Sequence, residues 1–322
     1  MVADCVPADP PDRQLRALLA AMRERSAVPM REAGATAARA RAAALRAGAP
    51  AGPRMERIEQ VEIPVRNGVV PARRYLARAG RPAGVVVYLH GGGWVLGGLE
   101  ESDLFCRTLA VHTGCEIVSV GYRLAPEHRF PAAVNDADDV VSWIAAGLPA
   151  DTRLVVMGDS AGGNLAAVVA RRARDRGAPR IDQQVLVYPV TDHRMSTPSY
   201  AEHGHQMLIS ADDMDWFWAQ YVPAEADRAS ADASPGLVED LSGLPPAVVV
   251  VAEYDPLRDE ALAYARRLAD AGVETTLYRY DSMAHGFFAL VGALDTAVDA
   301  VRSVSAAIVE ACGRREAPAL PD

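Results

Sequence analysis

The sequence predicts an α/β protein built on a mostly parallel eight-stranded sheet flanked by helices. Three observations predict it. Short runs such as Val85–Leu89 are continuously apolar, the pattern of a strand buried on both faces. Helical stretches separate most of these runs, and strand–helix alternation means parallel strands covered on two sides. One pair of runs, Val61–Val65 and Val70–Leu76, is joined through Asn67-Gly68 and reads as an antiparallel hairpin at one edge. The chain has 322 residues, half of them hydrophobic, enough for one domain over residues 1–322 with a sizeable core.

Residues 12 to 25 carry Leu15, Leu18, Leu19 and Met22 at i, i+3, i+4 and i+7, one apolar helical face. A second helix is expected from Arg31 to Ala47, after Pro29 and ended by Gly48. These two helices could serve as a lid, a membrane-surface element or an oligomer contact. The apolar face has no aromatic residue, which argues against the membrane. After the hairpin come strand Val85–Leu89, helix Glu100–Val111, strand Glu116–Gly121, helix Val134–Ala145, strand 154–158 and a helix from Asn164. Strands Gln184–Tyr188 and Ala247–Ala252, helix Leu257–Ala271, strand Thr275–Tyr280 and helix Asp295–Ala311 complete the set.

One segment breaks the alternation. Between Pro189 and Pro245 no strand pattern occurs, and Ala211 to Tyr221 holds Met214, Trp216, Phe217, Trp218 and Tyr221. Ser210 and Asp213 are spaced as a variant capping box for that helix. This excursion leaves the C-terminal edge of the sheet, where α/β folds bind ligands. A helical cap formed by residues 1–50 and about 190–240 is therefore expected.

Net charge is −9, from 33 basic and 42 acidic side chains, which argues against nucleic acid as a partner. No apolar run is long enough for a membrane span, and no stable membrane insertion is expected. The N-terminus lacks a basic segment followed by an apolar one, so no secretory signal is expected and a cytoplasmic location follows. Cys5, Cys106, Cys115 and Cys312 are widely spaced and read as free thiols. His193, His203 and His205 with Asp192 match no zinc signature, and neither metal nor cofactor is expected.

Gly158-Asp159-Ser160-Ala161-Gly162 sits between a strand and a helix. A G-x-S-x-G turn there forces the serine into a strained conformation and presents its hydroxyl above the sheet. The same five residues could be a small-residue turn for close packing. A hydroxyl needs a base, and His285 follows the strand at 275–280. Asp255 also follows a strand directly, though it could be only a helix cap before Pro256. The chain order Ser160, Asp255, His285 is that of α/β-hydrolases. His90-Gly91-Gly92-Gly93-Trp94 follows the strand at 85–89. Consecutive glycines let backbone N–H groups approach a developing oxyanion, and Gly92, Gly93 and Ala161 would supply them. His90 reads as an anchor for that loop. Trp94, Met207, Trp216 and Phe217 could line a substrate pocket or pack the cap helix.

These motifs, with Tyr122-Arg123-Leu124-Ala125-Pro126-Glu127-His128, Asp255-Pro256-Leu257-Arg258-Asp259 and His285-Gly286-Phe287, resemble the bacterial hormone-sensitive lipase-like esterases of α/β-hydrolase fold. Asp159 resembles the marker of that family's GDSAG subgroup. The resemblance implies Ser160 as nucleophile, His285 as general base and acid, and Asp255 as its orienting partner. It implies a small-molecule ester substrate with short acyl groups, and a homodimer paired through the sheet edge. Arg123 and Glu127 are expected to form an ion pair. An amide or N-acetyl hydrolase with the same triad, or a non-catalytic binding protein on this scaffold, are the alternative readings.

Overall fold

The computed structural model describes residues 11–24, 28–46, 50–205 and 208–313. Cys5, Gly48 and Met207 lie outside the described residues. One eight-stranded sheet runs through the molecule in the order β1-β2-β4-β3-β5-β6-β7-β8. Its strands are β1 (Arg57–Val65), β2 (Gly68–Leu76), β3 (Val85–Leu89), β4 (Glu116–Val120), β5 (Leu154–Asp159), β6 (Gln183–Val187), β7 (Ala247–Tyr254) and β8 (Thr275–Ala284). β1, β2 and β4 pair antiparallel, and every later pairing is parallel. The hairpin closes at Arg66-Asn67, one residue earlier than its Asn-Gly pair suggests. Val65 pairs with Gly68, so Gly68, at φ +120°, already belongs to β2.

The side-chain alternation of each central strand divides the core in two. Val85, Val87 and Leu89 of β3 face one hydrophobic cluster, while Val86 and Tyr88 face the other. Helices α4 (Ala132–Gly147), α5 (Ala161–Arg176) and α9 (Arg258–Asp270) cover the first face. Helices α3 (Asp103–Thr113) and α10 (Asp295–Ala311) cover the second, joined by Leu15 of α1 (Arg13–Glu24). Among the described residues, no helix is long and apolar enough to cross a membrane.

The excursion after β6 contains α6 (Pro198–His203), α7 (Ala211–Tyr221) and α8 (Glu225–Arg228). The capping box of α7 is formed: Ser210 Oγ accepts the Asp213 N–H at 3.1 Å, and Asp213 Oδ2 accepts the Ser210 N–H at 3.0 Å. α2 (Met30–Arg46) packs against α7 and kinks at Gly34, whose φ is +77°. The expected Arg123–Glu127 ion pair does not form. Arg123 turns to the fully buried Asp136 of α4 at 2.5 Å, and Glu127 pairs with Arg39 of α2 at 2.7 Å. A buried carboxylate without a cation is costly, so Asp136 claims the nearer guanidinium.

Candidate active site

β5 ends at Asp159, α5 begins at Ala161, and Ser160 makes the turn between them with φ 55° and ψ −118°. Such a conformation costs a non-glycine residue about 1–3 kcal/mol and needs external restraint. The Ser160 N–H donates to the Val187 carbonyl at 2.8 Å, and the Ser160 carbonyl accepts the Asn164 N–H at 3.0 Å. Two positions away on either side, only glycine fits. A Cβ on Gly162 would lie 1.9 Å from the Leu89 carbonyl oxygen, and one on Gly158 2.2 Å from that of Gly162.

The three residues expected at separate strand ends meet. His285 Nε2 lies 2.9 Å from Ser160 Oγ, and His285 Nδ1 lies 2.7 Å from Asp255 Oδ2. All three are buried. With Nδ1–H donating to Asp255, Nε2 is left to accept the serine hydroxyl proton. The other oxygen of Asp255 accepts the Leu257 N–H at 2.8 Å, which fixes the carboxylate plane. Asp255 thus serves the turn before α9 and faces His285 at once, since its two oxygens point to different donors. β8 runs further than its sequence pattern suggests, to Ala284, past an irregularity opposite Ala252 and Tyr254. That extension carries His285 up to the serine.

The glycine loop after β3 adopts three successive positive φ values, 117° at Gly92, 60° at Gly93 and 59° at Trp94. Trp94 is a bulky residue in the left-handed region, a conformation costing about 1–2 kcal/mol. Its turn is closed by the Gly92 carbonyl, which accepts the N–H groups of Val95 at 3.1 Å and Leu96 at 2.8 Å. Asp159 Oδ1 accepts the Gly91 N–H at 2.9 Å and the Tyr88 hydroxyl at 2.6 Å, tying this loop to the serine turn. His90 is buried and stacks on Tyr122 at 4.3 Å, and burial lowers its pKa. Its place as a loop anchor follows from the Tyr122 hydroxyl donating to its carbonyl at 2.7 Å.

A cavity of about 260 Å³ opens over these groups. Met30 and Ala42 of α2 form one wall, and Leu208, Ile209 and Phe217 form another. The Phe217 ring covers Gly93 so closely that a Cβ there would lie 2.2 Å from it. Trp94 and Trp216 do not line the cavity, against expectation. Trp94 is fully buried and stacks on Tyr221 at 4.4 Å, while Trp216 packs beside Phe217 at 5.2 Å. Alternate sides of one helix face differently, so only one of the adjacent aromatics can reach the cavity. Nothing in the sequence singles out Leu208, Ile209 or Arg39; the aromatic cluster in 211–221 is the nearest signal for the first two. Among the described residues, no cluster of three His, Cys, Asp or Glu side chains could hold a metal ion. A separate groove of about 430 Å³, lined by residues such as Arg153, Arg180 and Asp182, lies at the opposite edge of the sheet, away from Ser160.

A strained serine above a parallel sheet, a histidine and a carboxylate in line with it, and a glycine loop beside it define the hydrolase type of α/β fold. Residues 86–289 match the family model described as alpha/beta hydrolase fold, and the chain belongs to that family, in its hormone-sensitive lipase-like branch. Carboxylic ester hydrolase LipN of Mycobacterium tuberculosis is 42% identical over 245 residues, a match covering 72% of this chain and 65% of LipN, just under two thirds of that relative. Ethyl acetate hydrolase of Pseudomonas putida is 39% identical over 74% of this chain and 78% of its own length. Among solved structures, the esterase of Pyrobaculum calidifontis superposes with a TM-score of 0.85 at 40% identity, covering 94% of this chain and 99% of that one. A thermostable esterase from Pseudomonas putida ECU1011 gives a TM-score of 0.90 at 32% identity, covering 96% and 99%.

Proposed function

We propose that the protein is a serine carboxylesterase that hydrolyses short- to medium-chain acyl esters through an acyl-enzyme intermediate. The observation that carries this reading is the continuous hydrogen-bonded line Ser160 Oγ, His285 Nε2, His285 Nδ1, Asp255 Oδ2 at 2.9 and 2.7 Å. Ser160 Oγ attacks the ester carbonyl carbon as His285 takes its proton, and Asp255 stabilises the imidazolium. The oxyanion is received by the N–H groups of Gly92, Gly93 and Ala161. The last belongs to the first turn of α5, whose N–H groups have no partner within the helix. Each such donor is worth about 3–4 kcal/mol of barrier. The alcohol leaves with the proton from His285, and water repeats the sequence on the acyl-serine.

Relatives named as ester hydrolases support the ester over the amide. The cavity volume, about 260 Å³, is below the roughly 300–1,000 Å³ of pockets for drug-sized ligands, which supports short acyl groups. We read α2 with the 190–240 segment as the cap, because both contribute to the cavity wall. Ser160→Ala is expected to abolish turnover of p-nitrophenyl butyrate while circular dichroism stays unchanged; retained turnover overturns the reading. Across an acyl-chain series, kcat/KM should peak within roughly two to eight carbons, as expected for so small a cavity.

A further inference from the structure

Arg39 lies in a part of the chain that carries none of the family's motifs, yet it reaches the loop on which the proposed oxyanion hole is built. Its Nε donates to the Val95 carbonyl at 2.7 Å, and its Nη2 donates to the Ala125 carbonyl at 2.7 Å. The same guanidinium grips both oxygens of Glu127, at 2.9 and 2.7 Å. Ala125 in turn donates its N–H to the Trp94 carbonyl at 2.9 Å. The carbonyls of Trp94 and Val95, the two residues after Gly93, are therefore both held by this one junction.

That matters because of the backbone there. Gly92, Gly93 and Trp94 all sit at positive φ. A run of unfavourable conformations persists only where its surroundings impose it. Asp159 restrains the loop at Gly91 on the inner side. On the outer side, restraint comes from α2 through Arg39. The planar guanidinium makes four hydrogen bonds here, to two carbonyls and to both carboxylate oxygens, one more than the three donors of an ammonium allow. The bond with Arg39 holds the Glu127 carboxyl down to about 2, so the junction stays charged at neutral pH.

We propose that Arg39 is a positioning residue for the proposed reaction: it fixes the Gly92–Val95 turn, and so the aim of the N–H groups that receive the oxyanion. This rests on the esterase reading above. It also gives the Glu127 of the Tyr-Arg-Leu-Ala-Pro-Glu motif a task, as the receptor for α2. Helix α2 then does more than wall the cavity with Met30 and Ala42.

The test uses the full-length protein and the variants Arg39→Met and Arg39→Lys, with Arg31→Gln as control. Arg31 joins α2 to Asp215 of α7 at 2.5 Å, with both side chains about half exposed, and is not among the residues lining the cavity. Steady-state kinetics on p-nitrophenyl butyrate and hydrogen exchange over residues 90–97 are the readouts. Arg39→Met should lower kcat roughly tenfold to a hundredfold with KM changed less than about threefold, as misplacement of donors predicts. Exchange over 90–97 should accelerate while that of α5 does not. Arg39→Lys should fall between, and Arg31→Gln should match wild type. A raised KM with unchanged kcat, or unchanged exchange over 90–97, overturns the proposal. Failure of the esterase reading looks different: wild type itself would neither turn over esters nor label at Ser160 with a fluorophosphonate, while the exchange measurement would still report on Arg39.

Discussion

Glu260 lies five residues beyond Asp255, on α9, and is buried. Its Oε1 accepts the N–H groups of Thr191 at 2.6 Å and Asp192 at 3.2 Å, so it pins the start of the excursion after β6. Burial pushes its carboxyl up from 4.5 to about 8, and the neighbouring Asp192 and Asp255 push the same way. Between those two values the folded protein keeps a proton that the unfolded chain has released. Stability must therefore fall as pH rises through that window, and level off above it. Glu260→Gln keeps an oxygen for both N–H groups and removes the titration. Urea denaturation at steps from about pH 4.5 to about pH 9 should show a flatter stability profile for the variant, with its largest gain over wild type at the alkaline end. A variant with the wild-type slope contradicts this account. Arg39 and Glu127 give the opposite sign: their pairing contributes above the ordinary carboxylate value of 4.5 and is lost as pH falls toward about 2.

At the scale of elements, α7 bears on the cavity by laying Phe217 over Gly93. Its start is set by Ser210, whose hydroxyl oxygen takes an N–H that the helix cannot satisfy internally. Ser210→Ala should cost about 1 kcal/mol in chemical denaturation, and Ser210→Thr much less. Equal losses for the two would mean that the cap does not hold α7. Helix α2 is built differently. Its kink at Gly34 separates the Met30 end from the Arg39 end, and Gly34 has open space around its Cα. Positive φ, not crowding, is what calls for glycine there.

The whole molecule separates stability from chemistry along the strand direction. Ser160, Asp255 and His285 stand at the C-terminal ends of β5, β7 and β8. α10 starts near that end and finishes at the other, where Cys312 follows it and approaches Cys115 at 3.8 Å. Ile308, near the far end of α10, is fully buried in the cluster it shares with Val301 and Val304. Ile308→Ala should lower the unfolding free energy by about 2–5 kcal/mol. Turnover per folded molecule at low temperature should stay at the wild-type value, since no part of the proposed Ser160–His285–Asp255 line touches that end. A matching loss of kcat would show that the two ends are coupled.

Periodicity and turn chemistry are local, and the sequence determined what is local. The apolar run Val85–Leu89 placed β3, and the small residues of Gly158–Gly162 marked the strand-to-helix turn at Ser160. Asp255 and His285 were legible because each follows a strand directly, and strand ends in a parallel sheet share one edge. Ser210 and Asp213 marked the start of α7 by spacing alone. Side-chain partners were another matter. With 33 basic and 42 acidic residues, spacing does not say which guanidinium meets which carboxylate. Arg123 and Glu127 are neighbours in the chain, yet each pairs elsewhere, with Asp136 and Arg39. Likewise Trp94, Trp216 and Phe217 looked equally able to meet a substrate, and packing left only Phe217 of the three on the cavity wall. Only the tertiary structure decides such contacts, because burial selects among pairings that are equivalent in one dimension.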